Sequence, residues 1–268
     1  MRSRGASGAP AHMKPTISIL ATGETEKEEA LAKRLSCPLS RSPAISSDFC
    51  LEYAQGRLQL RQCTAGAPGP VYVDFSQGKA AHRRRQGEGR RSPLARAVGM
   101  KPGFTPRVLD ATAGFGSDAF VLATLGCEVR MVEQSPVVHA LLQDGLYRAG
   151  ETDELRDIVS RMSLMHGNAI EILSSMDESS CPDSIYLDPM YPHKGKNALA
   201  KKEMYTLQQL LGPDQQGGQL LDAARRRAIK RVAVKRPARA PFLADLTPDF
   251  QVRAPKTRYD IYLPTRRE

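Results

Sequence analysis

The sequence predicts an α/β protein, with a Rossmann-like parallel sheet from about residue 105 onward and a small α+β region before it. Three observations predict this. Short apolar runs alternate with longer helical segments from Arg107 to the C-terminus, the pattern of βα units laid into a parallel sheet. The first run ends in a glycine-rich turn, Asp110-Ala-Thr-Ala-Gly114-Phe-Gly116-Ser-Asp118-Ala119, which opens a helix. About twenty positions further on, the second run ends in an acidic residue, Glu133.

The elements follow in order. In the N-terminal region the strand candidates are Thr16–Ala21, Phe49–Tyr53, Arg57–Arg61 and Val71–Phe75, separated by Gly and Pro, with a charged helix over Glu24–Leu35. Thr22 or Thr25 is a candidate cap for that helix. Tyr53-Ala-Gln-Gly56 is a hairpin turn signal. In the second region the strands are Arg107–Asp110, Glu128–Val132, Met162–Met165, Ser184–Leu187, Arg231–Val234 and Tyr259–Leu263. Helices fit Asp118–Leu125, Pro136–Leu146, Ala169–Ser175, Lys201–Leu211 and Leu220–Ile229. Pro136 suits a first helical turn, with Ser135 as its cap. The expected division is residues 13–104 and 105–268. Residues 1–12, rich in Arg, Gly and Ala, read as an expression remnant before a native start at Met13.

Composition narrows the function classes. The 268 residues carry a formal net charge of +10, which suits a polyanionic partner. There is no Trp, so broad base-stacking surfaces are disfavoured. The five cysteines are scattered, without CxxC pairs or Cys/His clusters, so neither a disulfide framework nor a metal site is expected, and a reducing cytoplasmic compartment fits. No apolar run is long enough to span a bilayer. The run His82-Arg-Arg-Arg85 and the stretch Gly87–Arg91 form a basic connector, either a solvated loop or an arm that touches phosphates.

The small residues Gly114, Gly116 and Ala119 allow a tight turn and close backbone approach to a ligand at a helix N-terminus. Glu133 is placed to bind ribose hydroxyls, and Asp110 to meet an ammonium group. Asp118 is either a ligand contact or a favourable charge in the first helical turn. Asn168, after the third strand, either bonds a base edge or caps the next helix, and His166 reads as structural. The fourth strand leads into Asp188-Pro189-Met190-Tyr191, which resembles the D/N-P-P-Y/F turn of enzymes that methylate exocyclic amines or amide nitrogens, with Met190 in place of the second Pro. An exocyclic amine is a weak nucleophile because its lone pair is delocalised into the ring. Asp188 and the Pro189 carbonyl can accept its two hydrogens and turn the lone pair toward a methyl donor, while Tyr191 offers a stacking face. Lys194, Lys196, Lys235 and Arg236 stand at the expected edge of that site, as phosphate contacts.

The stretches VDFSQGKAAHRR, LDATAGFGSDAFVLATLGCEVRMVEQSPVVHALLQDGL, YLDPMYPHK, ALAKKEM, LLGPD, VAVKRP and YDIYL, in this order over most of Val71–Leu263, resemble the bacterial ribosomal RNA small-subunit methyltransferase J family, which methylates guanine N2 in 16S ribosomal RNA. The resemblance implies a class I methyltransferase fold. It also implies S-adenosylmethionine as cofactor, S-adenosylhomocysteine as product, and 16S ribosomal RNA or the small ribosomal subunit as partner. It implies cofactor contacts at Ser117, Asp118, Glu133, Gln134, Asn168, Ala169 and Asp188. Counted together with the Asp188-Pro189-Met190-Tyr191 turn, the basic connector, His82, Arg83 and Arg84 included, reads as an RNA-contacting arm. Three alternatives stand beside it: an amine methyltransferase acting on DNA adenine or protein glutamine, an NAD-dependent dehydrogenase sharing the glycine turn and Glu133, and a non-catalytic RNA-binding protein.

Overall fold

The computed structural model describes residues 15–41, 47–77, 89–190, 202–212 and 216–265. The expected site residues His82, Arg83, Arg84, Tyr191, Lys194 and Lys196, and the leading residues 1–12, lie outside this set.

The N-terminal region holds β1 (Ile17–Leu20), α1 (Thr25–Leu35), β2 (Leu39–Ser40), β3 (Phe49–Ala54) and β4 (Arg57–Gln62). These strands form one sheet in the order β2-β1-β3-β4. β3 and β4 are an antiparallel hairpin, turned at Gln55 (φ 54°) and Gly56 (φ 72°). Two consecutive left-handed residues match the right-handed strand twist, which is why a two-residue turn ending in Gly works here. Thr22 does not cap α1 from its own terminus; its N–H and hydroxyl both donate to Glu28 Oε1, at 2.6 and 2.7 Å. The expected strand over Val71–Phe75 is reduced to a single bridge from Val71 to Leu60. Its alternating apolar residues bury themselves by another route. Val73 packs on α4 (Pro136–Gly150) at Gly145, where a Cβ would lie 2.5 Å from Val73 Cγ1. Phe75 stacks on Phe120, with ring centroids 4.7 Å apart.

The second region contributes β5 (Val108–Asp110), β6 (Val129–Glu133), β7 (Met162–His166), β8 (Ser184–Leu187), β9 (Arg231–Pro237), β10 (Phe250–Arg253) and β11 (Thr257–Tyr262). Its helices are α2 (Pro93–Ala97), α3 (Ser117–Thr124), α4, α5 (Asp153–Val159), α6 (Ala169–Ser175), α7 (Lys202–Leu211) and α8 (Gly217–Arg227). The seven strands lie in the order β10-β11-β9-β8-β5-β6-β7. β5 to β9 are mutually parallel, and β11 runs antiparallel between β9 and β10.

Neighbouring residues of β5 point to opposite faces. Val108 joins a core with Phe120, Met131 and Leu141, whereas Leu109 joins a second core with Val132, Ile185, Leu221 and Val234. Burial on both faces explains why these strands read as continuous apolar runs. The first core extends into Ile19, Leu51, Leu58 and Leu60 of the small sheet. That sheet is also tied to α4 by the Leu58 N–H to Asp144 Oδ2 bond at 3.1 Å. Strand order reverses between β5 and β8, since the chain leaves β5 toward β6 and later returns on its other side. Ligands of open parallel sheets bind outside the carboxyl ends of the strands at such a reversal.

Candidate active site

A cavity of about 950 Å³ opens at that reversal. Its lining includes Asp110, Gly114, Ser117, Asp118, Glu133, Gln134, Asn168, Ala169, Asp188 and Pro189, residues separated by up to 79 positions in the chain and joined only by the fold. Of the expected cofactor residues only Gly116 stays behind the wall. Gly116 is the N-cap of α3 with φ 71°, and a Cβ there would lie 2.8 Å from Leu142 Cδ1. It sets the turn and lets α3 and α4 approach, and it lends no atom to the lining.

The half of the cavity at β5, β6 and β7 is held by backbone. Glu133 Oε2 accepts from Gly114 N–H at 3.0 Å and Oε1 from Ser135 N–H at 2.7 Å. One carboxylate therefore links the glycine turn to the start of α4, whose Ser135 cap accepts from Val138 N–H at 3.4 Å. Burial raises the Glu133 carboxyl to about 6, against the pull of these N–H donors. Asn168 is the cap of α6, with Oδ1 accepting from Ile170 N–H at 2.8 Å. The choice left open between a base contact and a cap resolves for Oδ1 in favour of the cap. His166 Nε2 lies 3.2 Å from the Gln134 carbonyl. Asp110 is 2% exposed and accepts from Thr112 N–H at 3.1 Å. Burial raises its carboxyl to about 8, so it is mostly neutral at pH 7.

The half at β8 and β9 is held by side chains. The Asp188 N–H donates to Thr112 Oγ1 at 2.6 Å, which pins the strand tip to the β5 turn. Lys235 Nζ donates to Asp118 Oδ2 at 2.7 Å and to Asp188 Oδ2 at 2.9 Å. Tyr186, fully buried on β8, donates its hydroxyl to the same Asp118 oxygen at 2.6 Å. Asp118 is thus more than a charge in the first turn of α3. Burial raises Asp188, and Lys235 opposes that rise. Burial alone would lower the Lys235 ammonium, but Asp118 and Asp188 outweigh it and hold Lys235 charged.

Two expected phosphate contacts are corrected by this geometry. Lys235 is engaged with two carboxylates inside the cavity. Arg236 is 6% exposed, and its guanidinium donates twice to the Pro241 carbonyl, at 3.2 and 3.1 Å. Alternation along β9 places consecutive residues on opposite faces, so Lys235 and Arg236 cannot serve one surface. Arg90, in the basic connector, binds the carbonyls of Leu125, Lys101 and Phe104, and so fastens the chain to its own fold. Thr112 and Tyr186 are the site residues that sequence reasoning missed, and Lys235 was named for a different role. Among the described residues, no group of three or more His, Cys, Asp and Glu could hold a metal ion, and no helix is long and apolar enough to cross a membrane.

The residues present fit S-adenosylmethionine. Glu133 retains acceptor capacity beyond its two backbone donors, which suits ribose hydroxyls. Val132, Pro136, Val137 and Ile170 line an apolar stretch beside it, suited to adenine. Asp110 is a buried carboxyl that an ammonium group would ionise.

The comparisons agree with this geometry. The family described as "Putative SAM-dependent methyltransferase" matches residues 32–264. A ribosomal RNA small subunit methyltransferase J of Nitrosococcus oceani is 49% identical over 235 residues, covering 87% of this chain and 92% of the relative. The protein of the same name from Pseudomonas fluorescens is 47% identical, covering 92% and 94%. The crystal structure of a SAM-dependent methyltransferase from Neisseria gonorrhoeae superposes with a TM-score of 0.75 at 35% identity, covering 94% of this chain and 98% of that one. The chain therefore belongs to the ribosomal RNA small subunit methyltransferase J family of S-adenosylmethionine-dependent methyltransferases.

Proposed function

We propose that this protein transfers the methyl group of S-adenosylmethionine to the exocyclic N2 amine of a specific guanine in 16S ribosomal RNA, in the cytoplasm. One observation carries the reading. A carboxylate on a Pro-containing strand tip, Asp188-Pro189, stands in the same cavity as a glycine turn and a ribose-binding acid, Gly114 and Glu133. The names of the relatives support ribosomal RNA of the small subunit as the acceptor. The net charge of +10 suits a polyanion.

When bound, S-adenosylmethionine supplies an electrophilic methyl group. The chain's task is positional. Asp188 and the Pro189 carbonyl accept the two amine hydrogens and aim the nitrogen lone pair. Thr112 fixes the Asp188 backbone, and Glu133 with the glycine turn fixes the donor's place. Tyr191, Lys194, Lys196 and the basic arm extend the site toward base and phosphates in this proposal.

The test is transfer of a labelled methyl group to small subunits that lack the modification, followed by mapping of the modified nucleoside. N2-methylguanosine at a single position is the expected result. Tight cofactor binding with transfer only to DNA or protein would overturn the substrate assignment.

A further inference from the structure

Lys235 has a place in the molecule that neither cofactor binding nor the amine-binding turn accounts for. It stands on β9, beside β8, and its Nζ lies 2.7 Å from Asp118 Oδ2 and 2.9 Å from Asp188 Oδ2. Its side chain is 26% exposed and that of Asp118 is 10% exposed. Behind Asp118 the Tyr186 hydroxyl closes the series at 2.6 Å. Tyr186 of β8, Asp118 of α3, Lys235 of β9 and Asp188 just past β8 are thus linked in series by hydrogen bonds. We propose that Lys235 is a positioning residue of the methyl transfer, holding Asp188 as an aimed carboxylate while Asp118 and Tyr186 hold Lys235 in place.

The argument is electrostatic and geometric. Asp118 and Asp188 contact the same ammonium, so their carboxylates lie close together, with Asp118 buried and Asp188 36% exposed at the mouth of the site. Without a cation between them, two carboxylates so placed repel each other, and proton uptake by one of them is favoured. A protonated Asp188 would present a hydroxyl donor to the incoming amine and lose an acceptor site. The ammonium also fixes one oxygen of Asp188, which leaves the other to meet the amine. Lysine suits the role, because it offers a compact charge with several donors to two acceptors that are not coplanar. Among the described residues, the other charged or titratable groups around Asp188 are Asp118 of α3, Asp110 of β5, Tyr186 of β8 and Arg236 of β9. Arg236 is bonded to the Pro241 carbonyl, and no other described cation bonds to Asp188. Tyr186 enters through competition. Its hydroxyl satisfies part of Asp118 Oδ2, so less of the ammonium is drawn away from Asp188.

This inference rests on the amine-methylation reading, and its test separates the two. The Asp188 carboxyl is titrated by carbon NMR in the full chain without acceptor, and the pH profile of methyl transfer is measured alongside. Lys235→Met is expected to raise the Asp188 midpoint by about 1 unit or more. It is expected to cut kcat about 10- to 100-fold at neutral pH, with part of the loss recovered as pH rises. The cofactor KM should stay within about threefold, because the lost interaction acts on the acceptor side. Lys235→Arg restores the charge and is expected to return the midpoint toward that of the unsubstituted protein. Tyr186→Phe should shift the midpoint in the same direction as Lys235→Met, by less, and it carries the test if Lys235→Met fails to fold. An unmoved Asp188 midpoint, or a loss of kcat with an unshifted pH profile, would overturn the proposal. Failure of the unsubstituted protein to methylate a guanine amine would overturn the substrate assignment instead, while the titration still decides what Lys235 does to Asp188.

Discussion

The two halves of the cavity are built on different principles. At β5, β6 and β7, the fixed points are backbone N–H groups: Gly114 and Ser135 on Glu133, Ile170 on Asn168, Thr112 on Asp110. At β8 and β9, the fixed points are mainly side chains: Tyr186 on Asp118, Lys235 on Asp118 and Asp188. A backbone-held half keeps its shape through most side-chain changes, and suits a cofactor that must be bound in the same way on every turnover. A half held by charges answers to pH and to a single substitution, and suits the place where protons are handled. The donor half is therefore expected to respond in affinity and the acceptor half in turnover.

The largest effect that would break this contrast is at Asp188. Asp188→Ala removes the amine acceptor and leaves Lys235 with Asp118 alone. Methyl transfer should fall about 10²- to 10⁴-fold. Affinity for S-adenosylhomocysteine, measured by calorimetry, should change far less. Glu133→Ala should do the opposite. It removes the ribose acceptor and orphans the N–H groups of Gly114 and Ser135, each hydrogen bond to a charged group being worth about 1.5–3 kcal/mol. Affinity should fall at least about tenfold, while kcat at saturating cofactor is largely kept. If both variants lost affinity and turnover alike, the two halves would not be separable.

The donor half was legible in the sequence because its signals are local. Gly114, Gly116 and Glu133 sit at fixed offsets along a strand–turn–helix–strand unit, and backbone geometry follows from such spacing. Ser135 and Pro136 announce a helix start in the same way, and the cap is present. The acceptor half was legible in its role only at Asp188-Pro189, while Asp118 and Lys235 were named without the contacts that join them. Lys235 lies 117 positions from Asp118 and 47 from Asp188, and no periodicity connects them. Within a Lys-Arg-Pro run it read as a surface cation, although strand alternation already requires Lys235 and Arg236 to face apart. The fold shows the same split. Parallel strands with both faces buried are plain from composition. β10, with Phe250 and Arg253 exposed, offers no apolar run and was missed. Val71–Phe75 carries the right alternation but packs against α4 at Gly145 instead of pairing along its length.

A third measurement sharpens the contrast through pH. The Asp110 carboxyl is raised by burial from its ordinary 3.8 to about 8. Between those values the folded protein keeps a proton that the unfolded chain has released. This stabilising contribution is complete below the ordinary value and is lost as pH rises through about 8, at up to about 1.4 kcal/mol per pH unit. Asp110→Asn keeps an acceptor for Thr112 N–H and does not titrate. The difference in Tm between Asp110→Asn and the unsubstituted protein should therefore grow from pH 5 to pH 8 and then level off. A constant difference would show that Asp110 is ionised throughout, and that the donor half is less dry than its burial implies.

The smallest effect concerns Asn168, where a cap and a base contact predict different losses. The Oδ1 atom is engaged by Ile170 N–H at 2.8 Å, at the start of α6. Asn168→Ala leaves that N–H without its cap and should cost about 1 kcal/mol of stability. Asn168→Asp keeps an oxygen acceptor and places a negative charge at a helix N-terminus, so it should retain that stability. If the side chain serves the helix, both variants keep their affinity for S-adenosylhomocysteine within about threefold, since the cap stabilises α6 before any ligand arrives. If the side-chain amide also donates to the adenine, Asn168→Asp keeps stability and loses affinity, because a carboxylate has no N–H to offer. Measuring Tm and Kd on the two variants thus decides whether the donor half is held by backbone at its third strand tip as it is at its first two.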